Sequence, residues 1–466
     1  MHGLGLLRNE AGKTLKLAGP IILGELAQMA LSLIDTAMVG SVSYKQLAAA
    51  ALVMSVVNIP FVLGIGMTMS VSQMVAMAHG RNDAQKVSHY LYNGFILCSF
   101  TAIIISLGLE CSKDILFHLK QDPEVAEMAV PFLRIIGISI IPMMLFMTLK
   151  QFTDGLEYTR TAMTLSLIAL PLNAFLNWLL IFGNWGLPRL ELVGAAWGTL
   201  ITRTLIFLAL TFTILKHKTF KRYMAAGRTH WKFSWHTIKE LLRIGIPSSL
   251  QAGMEVGVFA VSAILVGTIG AVEQAAHQIA MNCAAFTFMV SMGLAQGGSI
   301  RVSNAYGRND WNHILTIGKS SILTALCYGV LCFVIFISFN DFLPMLFNDN
   351  VEVVKLASYL LIFAAIFQIS DATQAISVGL LRGAKDVKIP TFLVGIAYWV
   401  VGLPIGYFLA FNLDMKAPGI WTGLIIGLSL VSIFLSIRFL RLKNILQSRT
   451  VCRCKKRKLT QYQYIF

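Results

Sequence analysis

The chain has 466 residues, 56% hydrophobic and 13% charged, with a formal net charge of +16. A mean hydropathy of +0.71 excludes an ordinary water-soluble domain and describes a polytopic membrane protein. The basic excess is read as topogenic charge beside anionic lipid, not as a nucleic-acid surface, and the seven cysteines imply no disulfide framework and no metal site.

Runs of about 20 apolar residues can cross a hydrocarbon core of roughly 30 Å as helices. The predicted fold class is all-α, with about twelve such spans. In the first half they cover 16–39, 46–78, 89–109, 127–151, 161–182 and 192–215. In the second they cover 243–266, 274–304, 316–338, 355–380, 391–412 and 418–440. The runs 46–78 and 274–304 exceed one crossing, which predicts tilt or projection into water. No small-residue cleavage site follows the first run, so it is read as a retained helix. Basic residues concentrate in alternate loops (Arg81, Lys86, Arg160, Arg301, Arg308, Arg382, Lys385, Lys388), in the stretch 217–240 and in the tail 441–466. That asymmetry predicts that the basic loops and both termini are cytoplasmic, and the expected location is the plasma (inner) membrane.

The chain contains part of itself twice. Residues 20–83 and 247–310 align without a gap at an offset of 227, with 16 of 64 positions identical. Both copies open on Pro20/Pro247 and close on the same loop, Gly80–Asp83 and Gly307–Asp310. Six spans in each copy is an even number, so the copies enter the membrane in the same orientation and form a parallel repeat. The predicted organisation is an N-terminal six-helix bundle (1–216), a basic linker (217–240), a C-terminal six-helix bundle (241–440) and a basic tail (441–466). The bundles should face one another across a cleft. The linker, polar and aromatic, is expected to lie along the membrane surface.

Chemistry should sit on polar groups inside the spans, because each is costly unless satisfied. The acids are Glu25 and Asp35 in the first span, Glu255 in the seventh and Asp371 in the tenth. No Lys or Arg is expected deep enough to neutralise them. Glu25, Gln28, Ser32 and Asp35 share one helical stripe. Gln368, Asp371 and Gln374 form a second, Gln251 and Glu255 a third, and Asn173 and Asn177 a fourth. Each should face a cavity or another helix. A buried carboxylate either takes a proton, since desolvation disfavours its charge, or binds a cation such as sodium. Either event can couple an ion gradient to a conformational change. No nucleotide-binding loop is present, so ATP is not the expected energy source.

These residues lie in motifs that resemble multidrug and toxic compound extrusion (MATE) transporters of the NorM branch: IDTAMVG (34–40), FTDG (152–155), LNAFLNW (172–178), AAHQIAMN (275–282), SIRVSNAYG (299–307), LRGAKD (381–386) and YWVVGLPIGY (398–407). The resemblance spans about residues 10–440. It implies a sodium- or proton-coupled antiporter that exports cationic, often aromatic, drugs. It implies a coupling-cation site at Glu255 and Asp371, with sodium as the candidate metal. It places Asp35 in substrate or proton handling beside the Asn173/Asn177 cluster. Glu25 departs from the pattern: it is either an extra acid that adds a proton site or attracts cations, or a residue near one end of the cavity with access to water.

A cleft holding carboxylates suits lipophilic cations, which aromatic faces also attract. Phe259, Phe288 and Tyr398 are candidate substrate contacts, with Phe286 and Trp399 as further aromatics. Gln278, within AAHQIAMN, is another candidate. Met254, Met281, Met289 and Met292 could provide an adaptable surface. Asp154 and Arg160, at the end of the fourth span, are read as topology or gating residues. The expected partners are small drug cations and membrane lipids, with no nucleic acid, no organic cofactor and a single chain as the working unit. Two alternatives stay open. A lipid-linked precursor flippase would need a basic cavity for a pyrophosphate. A membrane-embedded enzyme would need a nucleophile and base or a metal motif, and neither is found.

Overall fold

A computed structural model describes residues 2–118, 122–227 and 231–443. Among these residues there are helices and no strand. Twelve helices are long and apolar enough to span a membrane. The first six are α1 (His2–Gly40), α2 (Tyr44–Gly80), α3 (Ala84–Cys111), α4 (Pro123–Gly155), α5 (Thr159–Phe182) and α6 (Glu191–Lys216). The second six are α7 (Trp235–Ile269), α8 (Ala271–Gly307), α9 (Trp311–Ser338), α10 (Val351–Gly383), α11 (Lys388–Asn412) and α12 (Lys416–Leu440). Both long runs are single helices, as their length predicted: α2 has 37 residues and so does α8. Two π-helical stretches, Ile396–Gly402 and Phe408–Asn412, interrupt α11.

The duplicated loop has the same construction in both copies. Asn82 and Asn309 take left-handed backbone angles (φ 56° and 60°), which an Asn tolerates better than most residues. The next residue then caps the following helix. Asp83 accepts from the Lys86 amide and Asp310 from the His313 amide, each at 3.0 Å. An N-cap of this kind contributes roughly 1 kcal/mol.

The halves meet through α1 against α8 and α2 against α7 and α8. Their closest approaches repeat the sequence offset. A Cβ on Gly66 would stand 2.5 Å from the Ser249 Cα, and one on Gly293 would stand 2.4 Å from Ile22 Cγ1. A Cβ on Gly80 would stand 2.2 Å from the Asn304 carbonyl oxygen, and one on Gly307 2.2 Å from that of Met77. Ile22/Ser249 and Met77/Asn304 are themselves related by 227 residues, so these are single contacts made twice about an axis along the membrane normal. Amides reinforce the seam: Gln73 donates to Ser299 at 2.9 Å and Gln296 to Ser72 at 3.2 Å. Among the described residues, the hydrogen bonds between the halves run from the face that carries the N-terminus and the linker no further than mid-helix, where Ser249 donates to the Leu63 carbonyl at 2.6 Å. Among the described residues, no hydrogen bond joins the halves near the opposite face, which carries the loops at 41–43 and Gly270.

The linker packs more closely than its composition predicted. Within it, Lys218–Gly227 forms a short helix. Phe220 and Tyr223 are buried, Tyr223 bonds His79 at 3.1 Å, and Trp231 stacks on Tyr92 and donates to Ser88. It is pinned to the first half. The tail beyond residue 443, with Cys452 and Cys454, lies outside the described residues.

Candidate functional site

The polar stripes assemble into two clusters, one in each half. In the second half, the α7 and α10 stripes meet. Glu255 accepts from Gln251 one turn away at 3.2 Å and from Gln374 across the interface at 2.6 Å. Asp371, 4% exposed, lies within electrostatic reach of Glu255. Its carboxylate accepts no hydrogen bond among the described residues. Gln368 accepts from Thr287 of α8 at 2.9 Å, while its own amide nitrogen is buried without a partner. Tyr398, 1% exposed, is within electrostatic reach of both carboxylates. Phe259 packs edge-on against Phe367 and Tyr398, with ring centroids 6.1 and 6.3 Å apart. The π-helical turn in α11 carries Tyr398, in keeping with the tendency of such turns to occur at functional positions.

In the first half, Asp35 is held by two groups from two helices. Asn177 of α5 donates to it at 2.5 Å and bonds Asn173 at 3.2 Å. Thr199 of α6 donates to its other oxygen at 3.1 Å. Gly198 permits the approach, since a Cβ there would stand 2.3 Å from Asn177 Oδ1. Arg203, one turn beyond Thr199, is within electrostatic reach of Asp35 and donates to Ser139 at 2.6 Å. Sequence reasoning missed Thr199 and Arg203, although their i, i+4 spacing on one face of α6 was a usable signal.

The expectation that no cation lies deep in the spans is overturned. Lys150 is 4% exposed and pairs with Glu25 at 2.7 Å, with Asp154 a further contact at 4.0 Å. The predicted fourth span stopped at residue 151, which left Lys150 beside water. The helix instead runs to Gly155 and buries it. Glu25 is therefore one member of a salt-bridged triad, not a free acid. Asp154 is 1% exposed, and neither oxygen accepts a hydrogen bond. Arg203, at the middle of α6, is a second cation inside the spans. Arg382, in the last turn of α10, is within electrostatic reach of Glu255, but its guanidinium donates to Met69 sulfur rather than to either carboxylate.

Removing one partner of a buried ion pair strands the other charge and costs roughly 3–5 kcal/mol. Lys150→Met should therefore lower the melting temperature sharply in detergent. The triple variant E25Q/K150M/D154N should recover most of the loss. A K150M melt equal to wild type would show that the triad carries no structural weight.

Two other candidates stay apart from the clusters. Phe288 is half-buried, and Gln278 is exposed and bonds Asn282 at 3.2 Å. Among the described residues, neither bonds to or stacks on a carboxylate cluster. No group of three or more His, Cys, Asp or Glu side chains converges to hold a metal among the described residues.

Comparison with known proteins gives the same placement at both levels. The MatE family model matches twice, over residues 20–179 and 247–408. The chain is 33% identical over 443 residues to a probable multidrug resistance protein NorM of Mesorhizobium japonicum, covering 94% of this chain and 95% of that one. It is 35% identical over 434 residues to a probable multidrug resistance protein NorM of Rhizobium meliloti, covering 92% and 93%. In fold it is similar to a MATE protein in the bent conformation, with TM-score 0.86, 19% identity, and 97% and 99% of the two chains covered. It is similar also to the eukaryotic MATE transporter AtDTX14, with TM-score 0.85, 20% identity, and 95% and 99% covered. A duplicated six-helix bundle, matched over more than nine-tenths of its length by these relatives and copy by copy by the family model, makes this chain a member of the MatE family, NorM branch.

Proposed function

We propose that this transporter exports lipophilic cations in exchange for sodium ions or protons. The observation that carries the reading is Asp371: a buried carboxylate that accepts no hydrogen bond among the described residues, within electrostatic reach of a second, half-buried carboxylate, Glu255. Two such acids repel unless a proton or a metal cation joins them. The oxygens of Glu255 and Asp371 suit sodium, a hard cation of the kind oxygen ligands hold. The named function of the relatives, multidrug resistance, supplies the cargo class.

In this reading the basic loops and both termini face the cytoplasm of a plasma (inner) membrane protein. Residues 1–216 and 241–440 are the rocking units, 217–240 the link between them and 441–466 a tail. The seam of Gly66, Gly80, Gly293 and Gly307 closes the cytoplasmic end, so the cleft opens outward. Glu255 and Asp371 take an ion from outside, which disfavours drug in the shared cleft. The drug leaves, the halves rock, and the ion is released inside. Ion and drug thus couple with opposite preference for one state. Asp35, oriented by Asn177 and Thr199, offers a second anionic contact for drug or proton. Phe259, Phe288, Tyr398 and Gln278 are the further proposed drug contacts.

The test is ethidium efflux from proteoliposomes under a sodium gradient or a pH gradient, each imposed alone. Acceleration by one of them identifies the coupling ion. No response to either would remove the antiport reading.

A further inference from the structure

A cavity of about 640 Å³ opens at the closed face, walled by both halves: α1 and the α4–α5 turn on one side, the end of α8 and the start of α9 on the other. It lies apart from both carboxylate clusters. Its lining includes Lys13, Lys16, Arg160, Arg301, Arg308 and His313. Glu10 of α1 accounts for three of these, pairing with Lys13 at 2.8 Å, with His313 at 3.3 Å and with Arg301. The one acid in the lining, Glu157, accepts from the Asn304 amide at 2.9 Å. Lys16, Arg160 and Arg308 form no ion pair among the described residues. Five lysine and arginine side chains from the two halves are thus gathered at one mouth against two carboxylates, Glu10 and Glu157, an excess that an anion between them would relieve.

We propose that this cavity binds a phosphate-bearing anion that bridges the two halves. Arginine forks match phosphate oxygens, and Arg160 and Arg308 come from opposite sides. The first turn of α5 also borders the cavity, and Tyr158 supplies no side-chain cap, so its leading amides add donors beside the arginines. Leu17 and Ile317 complete the wall with apolar surface at the membrane boundary. Basic pockets between membrane helices on the cytoplasmic side hold lipid head groups by this chemistry. Two sources share it: the headgroup of an anionic phospholipid, and free phosphate. Because an occupant would contact both halves only while this face is closed, it would favour the outward-open state. That consequence rests on the alternating-access reading above; the binding itself does not.

The experiment is thermal unfolding of the full-length protein in detergent, titrated with dioctanoyl phosphatidylglycerol, dioctanoyl phosphatidylcholine or inorganic phosphate. Phosphatidylglycerol should stabilise saturably, and R160Q/R308Q should weaken its apparent affinity roughly tenfold. K239Q/K388Q, which removes two other cations near the same face, should leave it unchanged. Stabilisation by phosphatidylglycerol alone assigns the site to a headgroup. Equal stabilisation by inorganic phosphate, lost in R160Q/R308Q, assigns it to the free anion. No stabilisation by either anion, equal stabilisation by phosphatidylcholine, or equal weakening in K239Q/K388Q, overturns the proposal. The unliganded melt of R160Q/R308Q shows whether the variant is folded. If it is not, R160K/R308K serves instead. The charge-retaining pair should keep binding with reduced affinity because the fork geometry is lost, and unchanged affinity there would overturn the proposal.

Discussion

Asp371→Asn is expected to reduce ion-driven ethidium efflux at least tenfold, a loss of about 1.4 kcal/mol or more in coupling. The substitution keeps the shape of the side chain and removes only its charge and its capacity to take a proton. The site has little to lose structurally, because the Asp371 carboxylate accepts no hydrogen bond among the described residues. Glu255→Gln should have a similar effect for a related reason. The new amide oxygen can still accept from Gln374, which bonds the carboxylate at 2.6 Å, so the α7–α10 contact survives while the charge does not. If the acids act as one ion site, E255Q/D371N should be no worse than either single variant. Each elementary charge moved across the membrane releases roughly 2.3 kcal/mol per 100 mV, so loss of one coupled ion should be visible in the steady-state drug gradient. Full gradient-driven efflux in D371N would remove Asp371 from the mechanism. Additive losses in the double variant would instead indicate two independent sites.

Much of this architecture was legible because period and length are strong signals in a membrane. The apolar runs and the spacing of Gln368, Asp371 and Gln374 follow from helix geometry acting on one segment at a time, and the 227-residue offset is readable as direct sequence identity. The stripes were readable as inward-facing because a carboxylate facing lipid is too costly. What escaped was pairing between segments. Thr199 meets Asp35 across 164 positions and Lys150 meets Glu25 across 125. The Thr199/Arg203 spacing marks a polar face of α6, but nothing local in either segment says which partner it meets. Lys150 was also hidden by the hydropathy boundary, since a lysine near the end of an apolar run reads the same whether its amine reaches water or turns inward to a carboxylate. The basic cavity was hidden by the same ambiguity. Arg160, Arg301 and Arg308 each look topogenic, and only the fold gathers them at one mouth.

Gly307→Val is expected to force the closed face apart. A Cβ at this position would stand 2.2 Å from the Met77 carbonyl oxygen, and neither backbone can yield without the helices separating. Overpacking of this kind costs roughly 1–3 kcal/mol. Applied to an equilibrium between two arrangements of the halves, that is a population shift of about 5- to 150-fold away from the state with this seam closed. Gly80→Val should do the same, because a Cβ on Gly80 would stand the same 2.2 Å from the Asn304 carbonyl oxygen through the repeat-related contact. Gly108→Val is the control, in a helix of the same membrane with nothing within 4 Å of its Cβ position. The readout is maleimide labelling of Ser299→Cys, above the native-cysteine background, applied from the side of the termini. Ser299 is fully buried in the seam and accepts from Gln73. It should label slowly alone or with G108V, and quickly with G307V or G80V. Efflux should fall at least tenfold in both seam variants, since a transporter that cannot close one face cannot complete a cycle. Labelling and efflux unchanged by G307V would mean that the helix crossing is not the element that opens. A response to G307V but not to G80V would mean that the repeat, symmetric in structure, is asymmetric in its motion.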